Sequence, residues 1–300
     1  MTLLSGRLQL ILAAAIFSTG GAAIKATTLT AWQVAGFRSG IAALTLWLLA
    51  VASRGGRDAD RSSPATPATP ATLATVAVSL AYAATLLLFV AANKLTTSAN
   101  SIFLQSTSPL YILLLSPILL GERIRVRDAV FMAAVGLGLA LFFVHREAPA
   151  TTAPNPFLGN ILAAISGLTW AFTVMGLRWL GARGRHDTTF RAMVYGNAFV
   201  FLATVPFALP VIGATGADWG IILYLGVVQI GVAYMLLASG IRKVTAFEAA
   251  ILLLVEPALN PIWSWLVHGE TPSAWALAGA VVIFGATTLR TWHESRTAVA

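Results

Sequence analysis

The feature that most constrains this chain is a series of apolar runs, each long enough to cross a lipid bilayer. A spanning helix needs about 20 mostly apolar residues, and ten segments of the chain meet that test. They lie near 8–26, 31–52, 72–92, 97–119, 127–144, 158–178, 190–210, 219–240, 246–267 and 273–290. The runs are too long for barrel strands and do not alternate apolar with polar residues. The sequence therefore predicts an all-α membrane protein with ten transmembrane helices.

The composition excludes most classes of soluble protein. Hydrophobic residues make up 58% of the 300 residues and charged residues only 10%, whereas soluble domains carry about 25% charged residues. The chain contains no cysteine, so disulfides, thiol catalysis and cysteine-ligated metals are excluded. Its four histidines are widely spaced. We therefore expect no metal and no cofactor.

The basic residues indicate how the helices are oriented in the membrane. The net charge is +8, and the Lys and Arg residues fall at the ends of apolar runs, which favours membrane orientation over binding to nucleic acid. Most of them lie on the side of the N-terminus. Lys25, Lys94 and Arg146 lie on the other side. Because cytoplasmic loops carry the excess of Lys and Arg, we predict cytoplasmic termini and a bacterial inner (plasma) membrane location.

The two halves of the chain carry a repeated pattern. Each half has a Thr, a Pro after 12 positions and a Gly-Glu dipeptide after 12 more, and the first helices of the halves also match. The matched pairs are Thr97 with Thr245, Pro109 with Pro257, Glu122 with Glu270, Gly6 with Gly159, Phe17 with Trp170 and Lys25 with Arg178. The pattern predicts two five-helix units, 1–147 and 157–292. Five is odd, so the second unit must be inverted, as in secondary transporters with a substrate site between the halves.

These units carry a resemblance to a known family. Each has the Thr, Pro and Gly-Glu helix followed by a glycine-containing helix, with Gly136 and Gly138 in one half and Gly279 and Gly285 in the other. This arrangement resembles the EamA domains of the drug/metabolite transporter superfamily, and the chain is similar to the YddG-type bacterial exporters. The resemblance implies alternating access and export of small amphipathic metabolites, such as aromatic or other neutral amino acids, and no enzymatic activity. It leaves the oligomeric state open, and a monomer is compatible with it.

Aromatic and amide side chains at helical spacing are candidates for lining a substrate site. On the fourth predicted helix, Asn100, Phe103, Thr107 and Tyr111 fall within about 80° of one another. The third predicted helix offers a similar face, and Phe17 and Trp170 occupy matching places in the two halves. The predicted lining residues are Phe17, Tyr82, Phe89, Asn100, Phe103, Tyr111, Trp170 and Trp263. The alternative for each of them is packing between helices or contact with lipid.

Charged residues within apolar runs are costly and mark candidate functional positions. Glu256 could exchange a proton during transport or accept a substrate ammonium, and its alternative role is structural. Arg38 could bind a substrate carboxylate. It also lies in the small-residue spacing from Gly36 to Gly40, which favours close helix packing. We expect Glu270 to pair within its own segment.

Two other functions need features that this sequence carries weakly or lacks. A permease or flippase for nucleotide-linked or lipid-linked sugars needs cations for phosphate groups, and Arg38 alone lies deep in a predicted helix. An intramembrane enzyme needs a catalytic set at depth, but the sequence has no HExxH, GxSxG or P-loop motif and no deep histidine. A small-molecule substrate and the lipid bilayer are therefore the partners that we expect.

Overall fold

The apolar runs fold into helices in the computed structural model, which describes residues 5–54, 70–119, 126–144, 147–182, 186–240, 243–244 and 252–297. The α-helices are α1 (Gly6–Ser18), α2 (Gly20–Ala26), α3 (Ala31–Arg54), α4 (Pro70–Leu95), α5 (Ser98–Gln105), α6 (Ser108–Leu119), α7 (Val126–Val144), α8 (Pro156–Ala182), α9 (His186–Ala208), α10 (Gly216–Tyr224), α11 (Ala233–Gly240), α12 (Val255–His268) and α13 (Ala274–Thr297). A π-helical segment, Leu225–Val232, joins α10 to α11. Within the described ranges the architecture is helical, with no β-strand.

Several of these stretches are long and apolar enough to cross a membrane. Within the described ranges there are six, namely Gly6–Ala26, Ala31–Val51, Leu73–Leu95, Pro156–Leu177, Phe190–Ala208 and Gly216–Gly240. Two shorter apolar helices are Asp128–Val144 and Ala274–Arg290. The chain is thus a multi-pass, all-helical membrane protein.

Three of the predicted continuous helices are interrupted within the described residues; the ninth predicted helix is interrupted at Leu254, just before α12 begins at Val255. The first breaks at Thr19, whose hydroxyl bonds to the Ile16 carbonyl and to the Tyr224 hydroxyl, each at 2.7 Å. The fourth breaks between Gln105 and Ser108. Threonine and serine hydroxyls compete for helix carbonyls, and a proline has no backbone N–H to continue the ladder. The prediction of unbroken helices over 8–26, 97–119 and 246–267 is therefore wrong at these three points.

The π-helical segment lies against α3 beside Arg38. A Cβ atom on Gly226 would be only 2.8 Å from the Arg38 carbonyl oxygen and 2.7 Å from the Ile41 Cβ. A Cβ on Gly231 would be 2.7 Å from the Thr45 methyl group. Glycine at both positions lets the wide turn approach α3 closely, and π turns occur frequently at functional sites.

Glu270 reaches across the bundle because of the residue before it. Gly269 ends α12 in the left-handed conformation at φ 68°, and its N–H bonds to the Trp265 carbonyl at 2.9 Å. Glycine adopts this conformation without steric cost. The Glu270 carboxylate then pairs with Lys25 at 2.9 Å. The expectation that Glu270 pairs within its own segment is wrong. Glu122, its match in the first half, lies outside the described residues.

Candidate functional site

Two tyrosines from different halves of the chain meet near a buried arginine. Tyr82 on α4 is 1% exposed and Arg38 on α3 is 2% exposed. The Tyr82 ring packs edge-on against Tyr234 of α11 with centroids 5.9 Å apart. Tyr234 in turn packs edge-on against Phe17 of α1 at 5.0 Å. This central cluster of Arg38, Tyr82, Tyr234 and Phe17 therefore joins helices from both halves.

The central cluster contains buried polar groups that lack partners. The Arg38 guanidinium donates from Nη2 to the Leu86 carbonyl at 3.3 Å. Among the described residues, its Nε has no hydrogen-bond partner, and the Tyr82 hydroxyl, which neighbours the side chains of Tyr234 and Asn197, makes no hydrogen bond of ordinary geometry. The buried Asn197 Oδ1 on α9 is unpaired in the same set of residues. An unsatisfied buried polar group costs about 1–3 kcal/mol, so such groups together indicate a place where a polar ligand or water binds.

The carboxyl group of Glu256 lies close enough to the central cluster to interact with it electrostatically. Tyr234 interacts electrostatically with both Glu256 and Arg38, and Arg38 interacts with both tyrosines. Glu256 is half-buried in the first turn of α12. Arg38 lies on α3 and Glu256 on α12. A cation and a carboxyl group on two different helices near one tyrosine can together bind a molecule that carries both charges.

Two more of the predicted aromatic residues lie beside the central cluster. Trp170 on α8 is partly buried and packs against the hydrophobic residues around Tyr82. Phe89, two turns along α4 from Tyr82, packs against the same residues and against a second apolar cluster. The predicted residues Phe17, Tyr82, Phe89, Trp170 and Arg38 are thus brought together, while their role in binding stays a prediction.

The predicted stripe on the fourth helix is not one continuous face. Phe103 lies in an apolar cluster, with its ring 5.5 Å from Phe284 and 6.1 Å from Phe142. Tyr111 lies beyond the break, where its ring approaches Gly167 of α8. The break between Gln105 and Ser108 places Phe103 on α5 and Tyr111 on α6, so the stripe does not lie on one continuous helix and its role in binding stays a prediction.

Asn100, the amide of the same stripe, belongs to a polar network at one end of the bundle. Its Nδ2 bonds to Glu147 Oε2 at 3.2 Å and to Asn160 Oδ1 at 3.3 Å. Asn160 Oδ1 also accepts from the Thr96 hydroxyl at 2.7 Å. Asn100 therefore ties α5 to the segment before α8, and a role in substrate binding remains a prediction for it as for Phe103 and Tyr111.

Trp263 contacts the break in the first helix. Its Nε1 donates to the Ser18 hydroxyl at 2.9 Å. Asn260, one turn earlier on α12, donates to the Ser18 carbonyl at 3.1 Å. These bonds satisfy groups that the break at Thr19 releases from the helix, so α12 is attached to the place where α1 ends.

Tyr234 and Thr19 were not among the predicted site residues. One signal was present, because an Ala-Tyr dipeptide occurs at 81–82 and again at 233–234. The two copies differ by one helical turn in their distance from the matched threonines Thr97 and Thr245. The break at Thr19 had no comparable signal, because hydropathy does not report hydroxyl bonds to the backbone.

Two surface cavities lie between α3 and α9, away from the central cluster. One of about 460 Å³ is lined by apolar residues including Phe37, Ile41, Phe201 and Trp219. The other, of about 270 Å³, lies nearer the Arg54 end of α3. Neither includes a predicted lining residue. Among the residues that the structure describes, no group of three or more acidic or histidine side chains could hold a metal ion.

Comparison with known proteins identifies the family. The sequence pattern described as "EamA-like transporter family" matches twice, at residues 4–144 and at 157–292. The chain belongs to the EamA-like transporter family. It is thus a membrane transporter of the drug/metabolite transporter superfamily, and a small-molecule substrate follows from that membership.

Similar transporters agree with the family assignment, and a solved structure shares the fold. The chain is similar to a pseudopaline exporter of Pseudomonas aeruginosa, with 28% identity over 287 residues and 93% of each chain covered. It is also 29% identical to a transporter of Archaeoglobus fulgidus, covering 69% of this chain and 71% of that one. One crystal structure matches with a TM-score of 0.60 at 18% identity, covering 95% of this chain and 98% of the other. That last likeness concerns the fold alone.

Proposed function

We propose that this EamA transporter exports small zwitterionic amphipathic metabolites, such as aromatic or other neutral amino acids, across the bacterial inner membrane. The observation that carries the proposal is the central cluster, where the buried Arg38 and Tyr82 retain unpaired polar atoms. In this proposal Arg38 binds the substrate carboxylate. A guanidinium is suited to that role because its planar set of donors matches a carboxylate.

The aromatic residues of the cluster account for the amphipathic part of the substrate. Phe17, Tyr82 and Tyr234 present ring edges and faces to one another at 5.0–5.9 Å, and Trp170 packs beside them. Ligand sites are mostly apolar with a few placed polar groups. We infer that the substrate side chain lies against these rings, while Glu256 binds the ammonium group of the substrate or exchanges a proton. The pseudopaline exporter among the relatives supports export as the direction.

We also propose that the halves 1–147 and 157–292 form inverted five-helix repeats with cytoplasmic termini. The pattern of helix contacts supports this, because several of its most extensive contacts have a counterpart when the halves are exchanged. Thus α4 packs on α8 as α11 packs on α1, and α5 packs on α8 as α12 packs on α1. Pairs of equivalent helices, α3 with α9 and α7 with α13, pack on each other.

The inverted arrangement predicts that Ser5 and Ala150 lie on opposite sides of the membrane. Both are exposed, each precedes the first helix of one of the two halves, and the chain has no native cysteine. Single variants Ser5→Cys and Ala150→Cys are labelled in intact cells with a membrane-impermeant maleimide. We expect labelling of Ala150→Cys only, and of both after lysis. Labelling of both sites in intact cells, or of Ser5→Cys alone, would contradict the proposed orientation.

A substrate panel in proteoliposomes tests the proposed function, with and without a pH gradient. We expect zwitterionic amino acids with large apolar side chains to be transported faster than phosphorylated sugars, because the cluster offers one cation. If Glu256 couples transport to protons, a gradient accelerates transport in the parent protein and has no effect in Glu256→Gln. The control Glu147→Gln removes a carboxylate that bonds to Asn100 and should keep the gradient effect. Equal transport of every compound in the panel would reject the proposed substrate class.

A further inference from the structure

A buried ion pair joins the two halves of the chain at one end of the bundle. Lys25 Nζ and Glu270 Oε1 are 2.9 Å apart, and their side chains are only 2% and 5% exposed. Lys25 lies at the end of α2, while Glu270 follows the left-handed turn after α12. We call this end of the bundle, where α2 and α4 end and α8 begins, the Lys25 end.

Each member of the pair is fixed by further hydrogen bonds. The Lys25 ammonium donates to the Thr96 carbonyl at 2.7 Å and to the Thr152 carbonyl. The second carboxylate oxygen of Glu270 accepts the backbone N–H of Ser98 at 3.0 Å. The pair therefore holds together α2, the turn between α4 and α5, the segment before α8, and the end of α12.

Contacts continue from the ion pair toward the break in the first helix. The Ser98 hydroxyl bonds to Asn260 at 2.9 Å, and Asn260 bonds to the Ser18 carbonyl. A Cβ atom on Gly21 would overlap the Ser98 hydroxyl oxygen, so α2 and α5 meet here without space for water. A path from the central cluster that runs between α2 and α5 to this side of the membrane would have to separate these contacts.

An ion pair in this position is poorly explained by stability alone. Removing two charges from water costs energy that their attraction recovers only in part, and buried pairs are often no more stabilising than apolar residues. Their best-attested use is to select one arrangement over another. Transporters alternate between states by moving one half against the other, and this pair spans the two halves.

We propose that Lys25 and Glu270 form a latch that holds the Lys25 end closed and that separates when the transporter opens toward that side. The structure then corresponds to a state closed at the Lys25 end. The proposal depends on alternating access and not on the substrate class, so it can fail or hold independently of the proposed cargo.

The latch predicts that loss of either charge exposes the residues beneath it. Ser98→Cys places a thiol directly under the pair, at a position that is 0% exposed in the closed state. In lipid nanodiscs, a charged maleimide should label this thiol at least tenfold faster in Lys25→Met or Glu270→Gln than in the background carrying Ser98→Cys alone. The matched control is Lys94→Met, since Lys94 lies at the same end and donates to the Thr27 carbonyl and hydroxyl at 2.8 and 3.0 Å. Its labelling rate should equal that of the background.

Two further variants keep the test decisive. The exchange of Lys25→Glu with Glu270→Lys restores the attraction and should label more slowly than either single variant. If a single variant does not fold because it leaves a lone buried charge, the pair Lys25→Met and Glu270→Gln removes both charges and should label fast. Labelling at the background rate in all the folded variants would overturn the latch. Because no substrate is present, a negative result in the substrate panel does not affect this measurement.

Discussion

Replacement of Arg38 by methionine should lower kcat/KM for transport of a zwitterionic amino acid by about 10- to 100-fold. A hydrogen bond to a charged group contributes about 1.5–3 kcal/mol, and each 1.4 kcal/mol corresponds to about a factor of ten. Methionine retains much of the apolar stem of arginine, and it removes a buried charge rather than leaving one without a partner. The measurement is initial transport in proteoliposomes at matched amounts of folded protein.

Three comparisons separate substrate binding by Arg38 from packing. Arg38→Lys keeps the charge and loses the planar set of donors, so we expect an intermediate rate. A substrate analogue without a carboxylate should be transported at similar rates by the parent and by Arg38→Met. The control Arg290→Met removes an arginine that pairs with Asp128 at 3.3 Å and is 27% exposed, and it should change transport less than twofold. If Arg38→Met transports amino acids at the rate of the parent protein, Arg38 does not bind the substrate carboxylate, and its role is in the packing of α3.

Replacement of Gly279 by leucine should destabilise the protein by about 1–3 kcal/mol, because the new side chain has no space. A Cβ atom at this position would lie 2.6 Å from the Gly138 carbonyl oxygen and 2.6 Å from the Phe142 ring. Backbone cannot move aside as a flexible side chain can, so α7 and α13 would have to separate. The free energy of unfolding in mixed detergent micelles measures the effect.

The matched control is the same substitution six residues further along the same helix. A Cβ atom on Gly285 would meet no atom within 4 Å, so Gly285→Leu should be neutral or stabilising, since leucine favours the helix by up to about 1 kcal/mol over glycine. Both glycines belong to the pattern that marks this helix in the sequence. Equal free energies of unfolding for the Gly279→Leu and Gly285→Leu variants would show that the close approach of α7 and α13 does not contribute to stability.

The sequence reveals the helices of this protein better than it reveals the site. Apolar length predicts helices well because the bilayer fixes how many residues must span it. Apolar length does not predict the breaks at Thr19 and at Ser106–Thr107. They arise because hydroxyl groups bond to backbone carbonyls and because a proline has no backbone N–H. A stripe drawn across the second break assigns Phe103 and Tyr111 to one helix face, although they lie on two separate helices, α5 and α6.

Contacts between residues that are distant in the chain are equally difficult to predict from the sequence. Lys25 and Glu270 each end an apolar run, and the local sequence around either residue does not predict the other as its partner. Their pairing depends on how the halves are placed together. Tyr82 and Tyr234 are different, because the repeated Ala-Tyr dipeptide links them within the sequence itself. Internal repetition therefore carries three-dimensional information that hydropathy does not.

The wide turn Leu225–Val232 gives the bundle a way to reposition one ring without tilting a whole helix. A π turn holds one residue more than an α turn, and each residue of an α-helix turns by about 100°. Relaxation of this segment to α-helical winding would rotate Tyr234, which lies two residues after the end of the segment, away from Phe17 and Tyr82. A single local rewinding would then dismantle the aromatic contact between the halves while α10 stayed in place.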